Sequence, residues 1–171
     1  MYHVESLLSA RLFVSPQLVG NLIYFISNLS GRLSLYRMRF GGSIPEPLLP
    51  PDIALQNPHL VGGAPFLVFP SIGKILVMLD CDGDENYQPM LIPLDGGFPE
   101  PAFNSFFEGT RVHVTLGNDI SNMVYLSAES RHEPLIRSYQ GNLANGQVTE
   151  LAASPWGAYP AAFSEDHSRV V

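Results

Sequence analysis

Cysteine is almost absent from this chain. Cys81 stands alone, so no internal disulfide braces the fold, and the single thiol leans toward a reducing compartment. Basic charge is equally scarce. The nine lysines and arginines are scattered singly and the net charge is −7, so the basic patch that holds a phosphate backbone is missing and nucleic acid is excluded as a partner. Long apolar runs are missing too: Gly, Pro or Ser interrupts each one well before the roughly 20 residues a membrane-spanning helix needs. The opening Met1-Tyr2-His3-Val4-Glu5 has neither the basic region nor the apolar stretch of a secretory signal. These absences lead us to expect a cytoplasmic protein with no membrane partner.

Glycine and proline are abundant, at 15 residues each, and run the length of the chain. Both are poor inside helices and common in turns between short strands, so the composition reads as all-β. Apolar residues make up 46% against 15% charged, which suits sheets covered on both faces. Three segments repeat one pattern of an apolar strand ending in a polar turn: Ile23 to Asn28, Leu76 to Cys81, and Met123 to Ala128. Each leads into a second strand, Arg32 to Arg37, Pro89 to Leu94, and Glu133 to Ser138. Ser27 returns as Ser127, and Leu35 and Arg37 return as Leu135 and Arg137, a shift of 100. Pro45-Glu46-Pro47 is echoed by Pro99-Glu100-Pro101. Strand repeats spaced by about 50 residues indicate a β-propeller.

The expected architecture is a partial propeller of about three four-stranded antiparallel blades, followed by the first strand of another. Blade one spans about 11–50, blade two about 64–104 and blade three about 109–153, and residues of about 158–171 open the next. A propeller normally closes into a ring of roughly four to eight blades. Three blades and a stub leave edges open, which favours association. We therefore expect a piece of a longer protein, completion by a partner protein, or self-association through open blade edges.

Two segments carry a family resemblance. Asp80-Cys81-Asp82-Gly83-Asp84-Glu85-Asn86-Tyr87-Gln88, followed by Leu91 to Gly97, resembles a blade signature of the N-terminal propeller in the prolyl oligopeptidase family of serine peptidases. Phe163-Ser164-Glu165-Asp166-His167-Ser168-Arg169 is similar to the Phe-Ser-Pro-Asp-Gly-Ser-Arg opening of a blade, with Glu165 and His167 in place of Pro and Gly. TolB-type and other propellers share that opening, so the acidic turn alone leans toward the peptidases. The resemblance covers about residues 11 to 171 and implies a non-catalytic segment that gates and orients peptides for a separate α/β-hydrolase domain. The alternative is a TolB-type or WD-like scaffold for protein–protein interaction.

No catalytic residue is assigned. A nucleophile elbow needs Gly-x-Ser-x-Gly, and the nearest serine beside glycine, Ser43, lacks the closing Gly. No cofactor site is assigned either. Asp80, Asp82 and Asp84 alternate and offer hard oxygen ligands to a cation such as Ca²⁺. The competing and favoured reading is a structural turn, because Asp-Gly is a hairpin signal and Asp and Asn bond their own backbone in turns. The histidines His3, His59, His113, His132 and His167 show no metal-binding spacing. Trp156, Tyr159, Phe103, Phe106 and Phe107 are expected to fill gaps between blades, and Arg131 and Arg137 to lie on the surface.

Overall fold

The computed structural model describes residues 11–55, 58, 63–80 and 83–171. Among them are twelve β-strands, a single 3-10 turn and no α-helix. The strands form three four-stranded sheets, each a meander in which neighbours in sequence are neighbours in space and every pairing is antiparallel. This is the strand plan of propeller blades, and the fold is an all-β partial propeller. The chain divides into two compact units, Met1–Leu55 and Gln56–Val171.

The first unit holds one blade: β1 (Phe13–Val19), β2 (Leu22–Ser27), β3 (Ser34–Arg39) and β4 (Glu46–Pro47). Pro16 falls inside β1 without ending it. Ser15 takes a left-handed φ of 52°, the pairing with β2 shifts register between Val14 and Gln17, and the bulge absorbs Pro16, which has no N–H for the ladder. The blade is centred on buried Tyr24, Phe25, Ile26, Leu35 and Tyr36, with Phe25 stacked on Tyr36 at 5.9 Å.

The second unit holds two blades and a terminal turn. Blade two comprises β5 (Phe66–Phe69), β6 (Lys74–Leu79), β7 (Gln88–Pro93) and β8 (Glu100–Ser105), with the 3-10 turn Pro70–Ile72 between β5 and β6. Blade three comprises β9 (Thr110–Asn118), β10 (Met123–Ser130), β11 (Ile136–Asn142) and β12 (Gln147–Ser154). Phe69, Leu76, Met78 and Phe103 of blade two share one core with Val112, Val124, Leu126 and Tyr139 of blade three. Side chains of this size each contribute about 1.5–3 kcal/mol when fully buried.

A row across blade three explains how closely blade two approaches. Val124 pairs with Gly117 on one side and Gly141 on the other, so the row is low at both ends. Leu67 and Phe69 lie over Gly117, and the Phe103 ring lies over Gly141. A Cβ on Gly141 would stand 2.5 Å from Phe103 Cζ, inside any permitted contact. Here glycine is required by close approach of a side chain, not by φ.

The repeat is real, but part of its apparent alignment is coincidence. Ser27 pairs with Ser34 in blade one, and Ser127 pairs with Ser138 in blade three. The second strands are offset by 100 and the third strands by 104, because the blade-three hairpin turn holds four more residues. The structural counterpart of Leu35 is therefore Tyr139, and Leu135 lies outside β11. The Pro-Glu-Pro echo does have a structural basis. Glu46 and Pro47 pair with Arg37 and Tyr36, and Glu100 and Pro101 pair with Leu91 and Met90, so both copies form the outermost strand of a blade.

Candidate functional site

Three connections meet at one rim of the second unit: the acidic hairpin between β6 and β7, the turn from β8 into β9, and the hairpin between β10 and β11. The acidic hairpin joins adjacent strands, with Leu79 opposite Gln88. Asp80 and Asp84 each accept hydrogen bonds from within the hairpin. Asp80 Oδ2 accepts the Glu85 N–H at 3.4 Å, and Asp84 accepts both the N–H and the side-chain amide of Asn86 at 2.9 Å. Cys81 and Asp82 lie outside the described residues. Among the described residues no three His, Cys, Asp or Glu side chains group as metal ligands do.

The hairpin is fastened to blade three. Val112 N–H donates to the Tyr87 carbonyl at 3.0 Å, Gln88 Nε2 to the Thr110 carbonyl at 2.6 Å, and Arg131 to the Asp84 carbonyl at 3.2 Å. Tyr87 is buried, and the Arg111 guanidinium sits 5.4 Å from its ring centre, a cation–π distance. Burial is the main cause raising the Tyr87 phenol above its ordinary 10.0. Arg111 faces Glu129 across the ladder, yet Glu129 meets His113 at 3.1 Å, and Arg111 Nε is buried without a hydrogen-bond partner.

Two cavities open on this rim. One, of about 300 Å³, is lined by Glu85, Asn86, Arg111, Glu129, Ser130 and Arg131. The other, of about 380 Å³, lies where β7 and β8 part, over Met90, Phe103 and Phe107. It exists because only Met90–Pro101 and Leu91–Glu100 pair across β7 and β8, where β11 and β12 carry seven pairs. Pro89, Pro93 and Pro101 offer no N–H to extend the shorter ladder.

At the other end of blade three is a constellation that sequence reading misses. His167 Nδ1 lies 2.7 Å from the buried Tyr125 hydroxyl, and His167 Nε2 lies 2.8 Å from Ser121 Oγ. The rings of Tyr125, Phe163 and His167 stack, with neighbouring centroids 4.9 Å apart. Serine, histidine and an orienting third group suggest an activated nucleophile, but hydrogen-bond bookkeeping opposes it. Gln140 Nε2 already donates to the Tyr125 oxygen at 3.1 Å, so the tyrosine's own proton satisfies the site best by going to Nδ1. Nε2 then carries the imidazole proton and donates to Ser121, and the histidine holds a turn instead of activating a serine.

That turn gives the blade-opening motif its physical meaning. Asp166 accepts from the Ser164 hydroxyl at 2.7 Å and from the N–H and hydroxyl of Ser168 at 3.1 and 2.8 Å. Led by the Ser164 hydroxyl, these bonds lower its carboxyl from 3.8 to about 2. His167, where the motif has glycine, has a left-handed φ of 57°. Phe163 and Val170 close the turn with one isolated antiparallel bridge.

The remaining expected residues are dispersed. Ser43 accepts the Arg39 N–H at 3.0 Å within its own turn. Arg137 lies between Glu133 and Glu150, at 2.8 and 3.1 Å, and the Glu133 hydrogen bond is the main cause raising its basicity. Phe103 and Phe107 are buried as expected, and Phe106, though 53% exposed, meets Phe107 and Tyr139 of blade three edge to face at 4.9 and 5.5 Å, whereas Tyr159 is 53% exposed and Trp156 95% exposed. His3 and His59 lie outside the described residues. No described helix is long and apolar enough to cross a membrane.

No family model matches this sequence, and no curated protein matches it. Solved structures do. A puromycin-hydrolyzing peptidase of Mycobacterium tuberculosis superposes with a TM-score of 0.60 at 15% identity, over 82% of this chain and 20% of that one. A structure from a study of two prolyl endopeptidases gives 0.60 at 12% identity, over 84% and 20%. A putative TolB of Agrobacterium tumefaciens gives 0.56 at 18% identity, over 83% and 46%. The chain thus spans less than half the length of each. The likeness is one of fold: the chain superposes on part of each of these structures.

Proposed function

We propose that this chain is a non-catalytic propeller segment of a prolyl-oligopeptidase-like serine peptidase, gating and orienting peptides for a separate α/β-hydrolase domain. The observation that carries this reading is the match to two peptidase structures at a TM-score of 0.60; the acidic Asp80–Gln88 hairpin adds support. Gating would act by size, since a ring of packed blades admits a flexible peptide and turns away a folded protein. The partners in this reading are the hydrolase domain, in the same chain or another, and peptides, in the cytoplasm. Labelling the product of the whole reading frame with a fluorophosphonate tests it. The expected label falls outside residues 1–171, in a segment with Gly-x-Ser-x-Gly. The 171-residue chain itself is expected to be inert toward aminoacyl and peptide esters, and turnover that survives repurification would refute that.

The second reading is a TolB-type or WD-like scaffold with no enzymatic domain, favoured by the TolB likeness, which extends over 46% of that chain. Recovery of a stable protein partner with no hydrolase labelling of the full product would select it over the first.

A further inference from the structure

We infer that the groove between β7 and β8 is a docking site for an extended stretch of a partner polypeptide that presents one apolar side chain between basic residues. The inference concerns this blade's surface and does not depend on whether a hydrolase domain is attached. The floor is apolar, formed by Met90 above the buried rings of Phe103 and Phe107, which meet edge to face at 5.7 Å. A volume of about 380 Å³ admits a single large aliphatic or aromatic side chain with room at its sides. The groove is open to solvent along its length, which suits a chain laid across it better than an enclosed small molecule.

Charge decides between occupants. Exposed Asp84 and Glu108 stand on the groove's lips, while Glu85 lines the neighbouring cavity with Arg111 and Arg131. The chain as a whole carries −7. A second copy would bring the same negative surface to the same lips, whereas lysine or arginine on the incoming segment complements them and speeds encounter.

Nuclear magnetic resonance titration of the full 171-residue chain tests this, with the blocked pentapeptide acetyl-Ala-Lys-Phe-Lys-Ala-amide as probe. Amide shifts are expected at Met90, Asn104, Ser105 and Glu108. Acetyl-Ala-Glu-Phe-Glu-Ala-amide and acetyl-Ala-Lys-Ser-Lys-Ala-amide are expected to bind at least about tenfold more weakly. Glu108→Lys, an exposed change that leaves the core intact, should weaken the basic peptide by about threefold or more and strengthen the acidic one. Equal affinity for all three peptides, shifts confined to the surface around Trp156, or indifference to Glu108→Lys would overturn the inference. The same shifts produced by raising the protein concentration alone would assign the groove to a second copy and overturn it too. None of these results bears on where a fluorophosphonate labels the full product, so the two readings fail separately.

Discussion

Blades two and three have the same strand order and share one core, yet they differ at their outer strands. In blade three, β11 and β12 pair through seven residues. In blade two, β7 and β8 pair through two, and a groove opens. The difference traces to proline. Pro89, Pro93 and Pro101 lie on the two outer strands of blade two, and β11 and β12 contain none. Pro101, on β8, also blunts the outer edge of blade two against unwanted strand pairing. Blade three has no such protection along β12, where Leu151 is partly exposed and the neighbouring Trp156 almost fully so. Within one unit, the same meander is made open-grooved in one blade and open-edged in the next by where three prolines fall.

The shared core is where this comparison breaks most easily. Gly141→Val should force Phe103 off blade three and destabilise the second unit by about 2–3 kcal/mol, as overpacking does, read from the midpoint of denaturant unfolding. Gly117→Ala sharpens the point. Its nearest neighbour, at 2.5 Å, is the terminal Cδ1 of Leu67, which can rotate aside, so the loss should stay below about 1 kcal/mol. Equal losses at the two glycines would show that Phe103 is not seated as described.

The outer face of blade three gives the next largest effect. Tyr125→Phe removes the hydroxyl that joins Gln140 and His167, and because both partners are only half-buried the loss should be about 1 kcal/mol. The amide signals of residues 163–170 should move with it, while those of β5 to β8 stay in place. Movement confined to blade two would contradict the assignment.

Below that comes a pH effect in the terminal turn. The Asp166 carboxyl is held at about 2 against an ordinary 3.8. The folded turn therefore keeps its carboxylate after an unfolded chain has taken up a proton. Its contribution is full above the ordinary value and is lost as pH falls from there through about 2. The Ser168 amide shift should titrate with a midpoint near 2, and Asp166→Asn should abolish the transition; a midpoint near 3.8 would refute the hydrogen-bond account.

The smallest effects belong to ion pairs on the outer strands. Arg37–Glu46 at 2.9 Å, Lys74–Glu100 at 4.0 Å and Arg137–Glu150 at 3.1 Å recur in all three blades. Each is solvent-exposed on the glutamate side, and Glu46→Gln or Glu150→Gln should change stability by no more than about 0.5 kcal/mol.

Much of this fold was legible in the sequence because strands announce themselves locally. Apolar stretches between turn residues placed β2, β6 and β10, and Asp-Gly placed the acidic hairpin. Contacts that depend on register were not legible. The Leu35/Leu135 match looked like a repeat, but four extra turn residues in blade three give Tyr139 that position instead. The joining of Ser121, Tyr125 and His167 spans more than forty residues and follows no spacing rule; the one local sign was a histidine where the blade-opening motif has glycine. Trp156 misled for a related reason, since a large apolar side chain reads as core unless the neighbour it would meet is known. The groove could have been anticipated, because proline in consecutive outer strands predicts a ladder that stops early.

The central claim is that blade two lies face to face on blade three, with Phe103 seated over the glycine of β11. Nuclear Overhauser contacts from the Phe103 ring test it most directly. The account predicts cross-peaks to the Gly141 α-protons and the Val124 methyls, both within reach of the ring in this packing. Intact β-sheet signals in both blades with those cross-peaks missing would contradict it.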